Sequence, residues 1–122
     1  MINGACTTTG VASVALIDYD ASAIGSANAL SVEYNVVCVA ATGSSGQFVG
    51  SFRAYCATGA SPSLTVTTPF TSAFTSLDAG VATCTLTAVG STTPGHLTFL
   101  VTGVAATVIK WTGEATITQR AL

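Results

Sequence analysis

An all-β fold, an antiparallel β-sandwich with a jelly-roll-like course and roughly seven to eight strands, is the class the sequence predicts. Three observations predict it. Apolar and polar residues alternate at period two along most of the chain, as they do in strands with one buried face. Gly, Ser, Pro and Asn interrupt that alternation at intervals of roughly 8–15 residues, where turns belong. Nowhere do apolar residues recur at the 3.6-residue period of an amphipathic helix. An immunoglobulin-like sandwich is the alternative, but its Cys–Trp–Cys order fails, because Trp111 follows every cysteine.

The opening residues 1–10 (MINGACTTTG) are polar and Thr-rich. They are expected to form an N-terminal arm outside the core, leaving 11–122 as a single sandwich domain. Residues 11–18 begin the strands, and 19–28 form a loop. The segment 29–41 (ALSVEYNVVCVAA) places Leu30, Val32, Tyr34, Val36 and Cys38 on one face and Ser31, Glu33 and Asn35 on the other. A Gly/Ser turn at 42–46 leads into 47–58. There Phe48, Phe52, Ala54 and Cys56 point inward, and Gln47, Ser51, Arg53 and Tyr55 outward. These two segments make a hairpin.

Residues 63–69 form a shorter strand with Pro62 and Pro69 at its ends. Residues 70–79 are expected as a loop or one helical turn. Residues 80–89 form a strand with Ala82, Cys84, Leu86 and Ala88 on one side and Val81, Thr83, Thr85, Thr87 and Val89 on the other. After a turn at 90–95, residues 96–118 (HLTFLVTGVAATVIKWTGEATIT) hold two more alternating runs. Leu97, Phe99 and Val101 share one face of the first, and Ile109, Trp111, Gly113, Ala115 and Ile117 share one face of the second. The small residues at 103–106 between them predict a C-terminal hairpin.

Composition narrows the function. A chain of 122 residues with no linker or repeat makes one domain. Nearly half the residues are apolar, yet no run reaches the ~18 residues of a membrane span. Only 7% are charged, against about 25% in an ordinary soluble domain. Such a surface is either hydrated through Thr and Ser hydroxyls or covered by partners, and the second reading is preferred. Three basic residues in all and a net charge of −2 argue against nucleic acid, which requires clustered Lys and Arg. The N-terminus lacks a basic segment followed by an apolar core, so no secretory signal is expected and the chain is expected to fold in a reducing cytosol. Cys6, Cys38, Cys56 and Cys84, spaced by 32, 18 and 28 residues, match no zinc pattern. Buried free thiols are the expectation.

Chemistry is sparse. His96 is the single histidine, and no nucleophile motif accompanies it, so no enzyme is expected. Asp18 and Asp20 form a D-x-D whose carboxylates point the same way, a candidate for a hard cation with Asp78. The simpler reading is a solvated strand end, and neither metal nor cofactor is expected. Glu33, Arg53, Lys110 and Glu114 fall on polar strand faces as candidates for intersubunit ion pairs. Tyr19, in a loop, and Tyr55, on a polar face, are the candidate platforms for a glycan, whereas Trp111 points inward.

The segments ACTTTG and VASVALIDYD, then VEYNVVCVAATGSSGQFVGSFRAY, SLTVTTPFTS, ATCTLTAVG and LTFLVTGVAATVIKWTGEATI follow one another in an order that resembles small jelly-roll structural domains of tailed-bacteriophage virions. The resemblance runs over nearly the whole chain. It implies a homotrimer that serves either as a capsid decoration (cement) protein on the major capsid protein lattice or as part of a tail fibre or spike. It implies no catalytic residues. The chain has neither a long basic or Gly-rich arm nor a repetitive shaft, so the expectation is a decoration protein on the outer capsid surface, made in the host cytoplasm. Met1, Ile2, Asn3, Thr7, Thr8 and Thr9 are the expected capsid-binding residues. The alternative is a receptor- or glycan-binding module using Tyr19 and Tyr55.

Overall fold

The computed structural model describes residues 1–24, 26–58, 63–66, 72–90 and 94–121. They form nine strands: β1 (Ile2–Thr8), β2 (Val14–Asp20), β3 (Asn28–Ala40), β4 (Ser45–Cys56), β5 (Leu64–Val66), β6 (Ser72–Leu77), β7 (Thr85–Gly90), β8 (His96–Thr102) and β9 (Ile109–Ala121). Short 3-10 turns occupy Ala21–Ile24 and Ala79–Val81, and there is no α-helix among the described residues. Two antiparallel sheets pack face to face, which is a β-sandwich. The larger has the order β1-β9-β3-β4, and both β5 and β6 pair with the far edge of β4. The smaller has the order β2-β8-β7.

The centre of the larger sheet is made by β3 and β9, each 13 residues long, paired from Asn28↔Ala121 to Ala40↔Ile109 without a break. Period-two alternation then decides burial. Leu30, Val32, Tyr34, Val36 and Cys38 on β3, with Ile109, Trp111 and Ala115 on β9, all lie in the core. The predicted β3–β4 hairpin is present, closed by a turn in which the Gly43 N–H donates to the Ala40 carbonyl at 2.9 Å. Gly43 has φ 94°, a conformation that favours glycine. From the smaller sheet, Leu97, Phe99 and Val101 enter the same core. Phe99 bridges the layers, with its ring centroid 5.8 Å from both Tyr34 and Phe52. Phe48 stacks on Trp111 at 6.2 Å.

Several sequence expectations are corrected. Residues 2–8 are no arm: they form β1, paired with β9 from Ile2↔Ala115 to Thr8↔Ile109. Polar composition misleads here because an edge strand needs only one buried side chain in two. Ile2, Gly4 and Cys6 are half-buried and Thr8 is fully buried, while Asn3, Ala5 and Thr7 face outward. Gly4 is required, since a Cβ there would come 2.0 Å from the Leu16 carbonyl oxygen of β2.

The C-terminal runs are strands but not a hairpin. β8 pairs with β2 and β7, and β9 with β1 and β3, so the connection crosses from one sheet to the other. It turns at Ala106, whose φ is 55°, and passes so close to β1 that a Cβ on Gly103 would lie 2.4 Å from the Thr8 hydroxyl. Residues 72–77, expected as loop, form β6, and Phe70 lies outside the described residues. Residues 79–81 are a 3-10 turn and no strand, which swings Val81 fully into the core. In β2 a bulge between Ala15 and Ile17 buries both Leu16 and Ile17, so strict alternation fails there.

Among the described residues the buried side-chain polar groups are satisfied. The Trp111 indole N–H donates to the Thr8 hydroxyl at 3.0 Å. Asn28, fully buried, donates to the carbonyls of Ala21 (3.2 Å) and Ser26 (2.8 Å) and accepts from Gln119 Nε2 (2.7 Å). Gln119 Nε2 also donates to the Ala21 carbonyl at 2.6 Å, and its Oε1 accepts from the Tyr19 hydroxyl. This network fixes the 3-10 turn after β2 over the end of the larger sheet.

Replacing Thr8 by Val keeps the shape of the side chain but leaves a buried indole N–H without an acceptor. Thr8→Val is expected to lower stability by about 1–2 kcal/mol in denaturant unfolding, and Thr9→Val, on an exposed residue, by less than about 0.5 kcal/mol. Equal effects would contradict the placement of β1.

Candidate functional site

Both sheets have an outer face, and the candidate groups divide between them. On the smaller sheet, β2 and β8 run antiparallel with Asp18 opposite Thr98 and Asp20 opposite His96. The D-x-D therefore points its two carboxylates to one side, as its spacing predicts, and they meet an imidazole from a strand almost eighty residues further along. His96 Nδ1 lies 2.9 Å from Asp18 Oδ2, and Nε2 lies 3.8 Å from Asp20 Oδ1. The Thr98 hydroxyl donates to Asp18 Oδ1 at 3.0 Å. Ser22 donates to Asp20 Oδ1 twice, through its hydroxyl at 2.6 Å and its N–H at 2.9 Å.

These contacts hold the Asp20 carboxyl below the ordinary Asp range. The Ser22 hydroxyl contributes most, then the Ser22 N–H, with slight burial opposing and the His96 charge adding last. Among the described residues, the hydroxyls of Ser22 and Thr98 are committed to the carboxylates and do not address the imidazole. Asp78 does not join it: its carboxylate accepts from the Ser45 N–H at 2.9 Å on the larger sheet. Among the described residues no group of three His, Cys, Asp or Glu side chains is disposed to hold a metal. The cluster ties β2, the turn after it and β8 together.

The cysteines are free. Cys38, Cys56 and Cys84 are buried, as alternation predicts, and Cys6 is half-buried on β1. Burial, with the neighbouring Cys84 thiol adding to it, pushes Cys38 up to about 11. Burial also raises Cys6, Cys56 and Cys84. Thiols raised in this way carry little thiolate at neutral pH and behave as small apolar side chains.

The outer face of the larger sheet collects the four predicted intersubunit residues, all exposed: Glu33 on β3, Arg53 on β4, and Lys110 and Glu114 on β9. Register sets Arg53 opposite Ser31, diagonal to Glu33. Lys110 lies between Thr7 and Val39, Glu114 between Asn3 and Asn35, and Glu33 between Thr116 and Ser51. Exposed valines accompany them, Val37 (44%) and Val39 (47%) on β3 and Val108 (46%) just before β9. A shallow open groove runs along Asn3, Asn35, Val37, Thr112 and Glu114.

Of the residues expected to bind a capsid, Met1, Asn3, Thr7 and Thr9 are exposed and Ile2 is half-buried. Thr8 is withdrawn: it is buried and accepts the Trp111 indole hydrogen bond. Tyr55 is exposed on the outer face as expected, but Tyr19 is half-buried on β2 and donates to Gln119. Tyr19 is therefore no exposed glycan platform. The sequence reading missed the link from His96 to Asp18 and Asp20. The D-x-D pattern supplied half of that signal, and the other half, the β2–β8 pairing, joins segments that no local pattern connects.

Fold and site define an all-β sandwich with an acid–histidine cluster on one outer face and, on the other, a broad sheet of exposed valine and hydroxyl side chains that also bears Glu33, Arg53, Lys110, Glu114 and Arg120. No protein-family model, curated protein or solved structure matches the chain.

The Asp20 carboxyl is expected to titrate below about 3.9, the unfolded value, when followed by NMR. Its stabilising contribution is complete above that value and is lost as pH falls through the native one. In Ser22→Ala the midpoint is expected to move up; an unchanged midpoint would contradict the assigned cause.

Proposed function

We propose that this chain is a structural assembly protein, a capsid decoration (cement) protein of the tailed-phage kind on the outer surface of a shell built from a major capsid protein. The observation that carries the reading is the outer face of the larger sheet, where valines, Thr, Ser and Asn lie exposed among the charges of Glu33, Arg53, Lys110, Glu114 and Arg120. A face of that composition gains by being covered. The resemblance described above supplies the identity of the shell. The mechanism is physical: each copy bridges neighbouring shell subunits, and binding to the assembled state raises the free energy needed to separate them. Repeated weak contacts sum to firm attachment because copies held on one lattice engage together. Met1, Asn3, Thr7 and Thr9 on and beside β1 extend the contact surface at its edge. The tail-tip reading, a glycan-binding module, keeps Tyr55 alone of its two platforms.

Quantitative mass spectrometry of purified particles tests the assignment. The expected result is a fixed ratio to the major capsid protein, on the scale of the number of capsid subunits or their local symmetry sites. A few copies per particle would move the chain to the tail, and absence from the particle would overturn the proposal.

A further inference from the structure

Cys38 and Cys84 are two cysteines that the fold brings together. Cys38 lies on β3 of the larger sheet, and Cys84 directly precedes β7 of the smaller one. Both are buried in the shared core, 3% and 4% exposed. Their thiols lie within hydrogen-bonding contact where the two sheets meet. They are 46 residues apart in the sequence, so the tertiary fold alone makes the contact.

Local structure accounts for the meeting. Cys38 stands opposite Gly46 in the β3–β4 hairpin, and its sulfur packs over that glycine. A Cβ on Gly46 would lie 3.2 Å from Cys38 Sγ and 2.5 Å from Leu77 Cδ2. Leu77 ends β6 and is itself paired with Gly46. Asp78 then ties the chain to β4: its N–H donates to the Ser45 carbonyl at 3.0 Å, and its carboxylate accepts from the Ser45 N–H at 2.9 Å. The 3-10 turn at Ala79–Val81 follows, and the Cys84 N–H donates to the Val81 carbonyl at 3.0 Å. A short, hydrogen-bonded path therefore carries Cys84 to Cys38.

The other cysteines are placed elsewhere. Cys6 shares a row of the larger sheet with Cys38, but Trp111 stands between them, about 10 Å of sheet in all. Cys56 is ten residues further along β4 than Gly46, about 34 Å away along the strand.

We propose that Cys38 and Cys84 are a site of thiol–disulfide exchange, a latent disulfide that locks the two sheets together when the chain meets a small-molecule disulfide oxidant. One cysteine, as its thiolate, attacks the S–S bond of the oxidant, forming a mixed disulfide and releasing one thiol. The other cysteine, deprotonated in turn, attacks the mixed disulfide, forms the Cys38–Cys84 bond and releases the second thiol. Two protein thiols are oxidised, one disulfide is reduced, and the two protons leave on the released thiols. The sulfurs close from contact to about 2.05 Å. Cys84 lies between the 3-10 turn and β7, where no strand pairing fixes its backbone.

Burial sets the rate. It pushes the Cys38 thiol up to about 11, so the native pair holds little thiolate and exchange proceeds through openings of the fold. Once formed, the bond closes a long loop and removes freedom from the unfolded chain. The pair faces inward, so the bond forms or fails whatever covers the outer face of the larger sheet.

Equilibration of the full chain with glutathione tests the site, begun both from the reduced native chain and by refolding of the reduced, unfolded chain. In mostly oxidised glutathione at mildly alkaline pH, alkylation and peptide mass mapping are expected to find one disulfide joining Cys38 to Cys84, with Cys6 and Cys56 alkylated. The bonded chain is expected to melt at least about 5 °C above the same chain reduced. Four alkylated cysteines from both starting states, glutathione retained on Cys38 or Cys84, or a bond joining any other pair would each overturn the site. A bonded chain that melts no higher than the reduced one would overturn the lock.

Discussion

The register of β3 against β9 governs this fold. Thirteen consecutive residues of each strand face one another without a bulge, so one choice of register assigns every side chain on both strands to the core or to the outside. A slip of one residue would expose Val32, Val36 and Trp111 and bury Glu33, Glu114 and Lys110. Burial of each large apolar side chain stabilises by about 1.5–3 kcal/mol, and burial of an unpaired charge costs more, so the observed register has no near competitor. The other strands inherit their faces from it: β1 by pairing along β9, and β4 by pairing along β3.

The smaller sheet closes the core and sets the positions of the crossings. Three strands cannot cover the inner face of six without help at the margins. That help comes from the 3-10 turn after β2, held by Asn28 and Gln119, and from Val81, carried in by the second 3-10 turn. At the opposite margin β1 and β2 meet at Gly4, and the link from β8 to β9 passes Thr8 at Gly103. The Trp111–Thr8 hydrogen bond lies at the same margin and couples the core's largest side chain to the edge strand. The acid–histidine cluster belongs to this framework too, since it joins β8 to β2 and to the turn that caps the larger sheet.

Local pattern made much of this legible. Wherever a strand is regular, as in β3, β4, β8 and β9, alternation identified the buried side chains, from Leu30 to Ile109 and Trp111. It failed where the backbone departs from period two, at the bulge that buries both Leu16 and Ile17 and at the 3-10 turn that buries Val81. Composition failed at β1, because a Thr-rich edge strand with one glycine at its crowded point carries little apolar signal. Pairing failed between β8 and β9, which look like a hairpin in sequence and lie in different sheets. A six-residue connection suits either arrangement, and only the demand that both apolar faces share one core decides for the crossing. The cluster of His96 with Asp18 and Asp20 was hidden for the same reason: it depends on a pairing between distant segments.

The same alternation that builds the core leaves the other side of the larger sheet bare. An ordinary protein guards such a surface with charge. Here exposed valine and hydroxyl side chains lie between the charges, which is the basis for treating it as the working face of the molecule. Thiol accessibility in the assembled particle tests that claim most directly. Val37→Cys places a thiol on this face, and Thr87→Cys places one on the exposed side of β7 in the smaller sheet. Relative to the parent chain's own thiols, a maleimide reagent is predicted to label the Thr87→Cys site readily and the Val37→Cys site at least about tenfold more slowly once the chain is assembled, with both sites labelled alike in the free monomer. Equal labelling of the two sites in the particle would contradict the account.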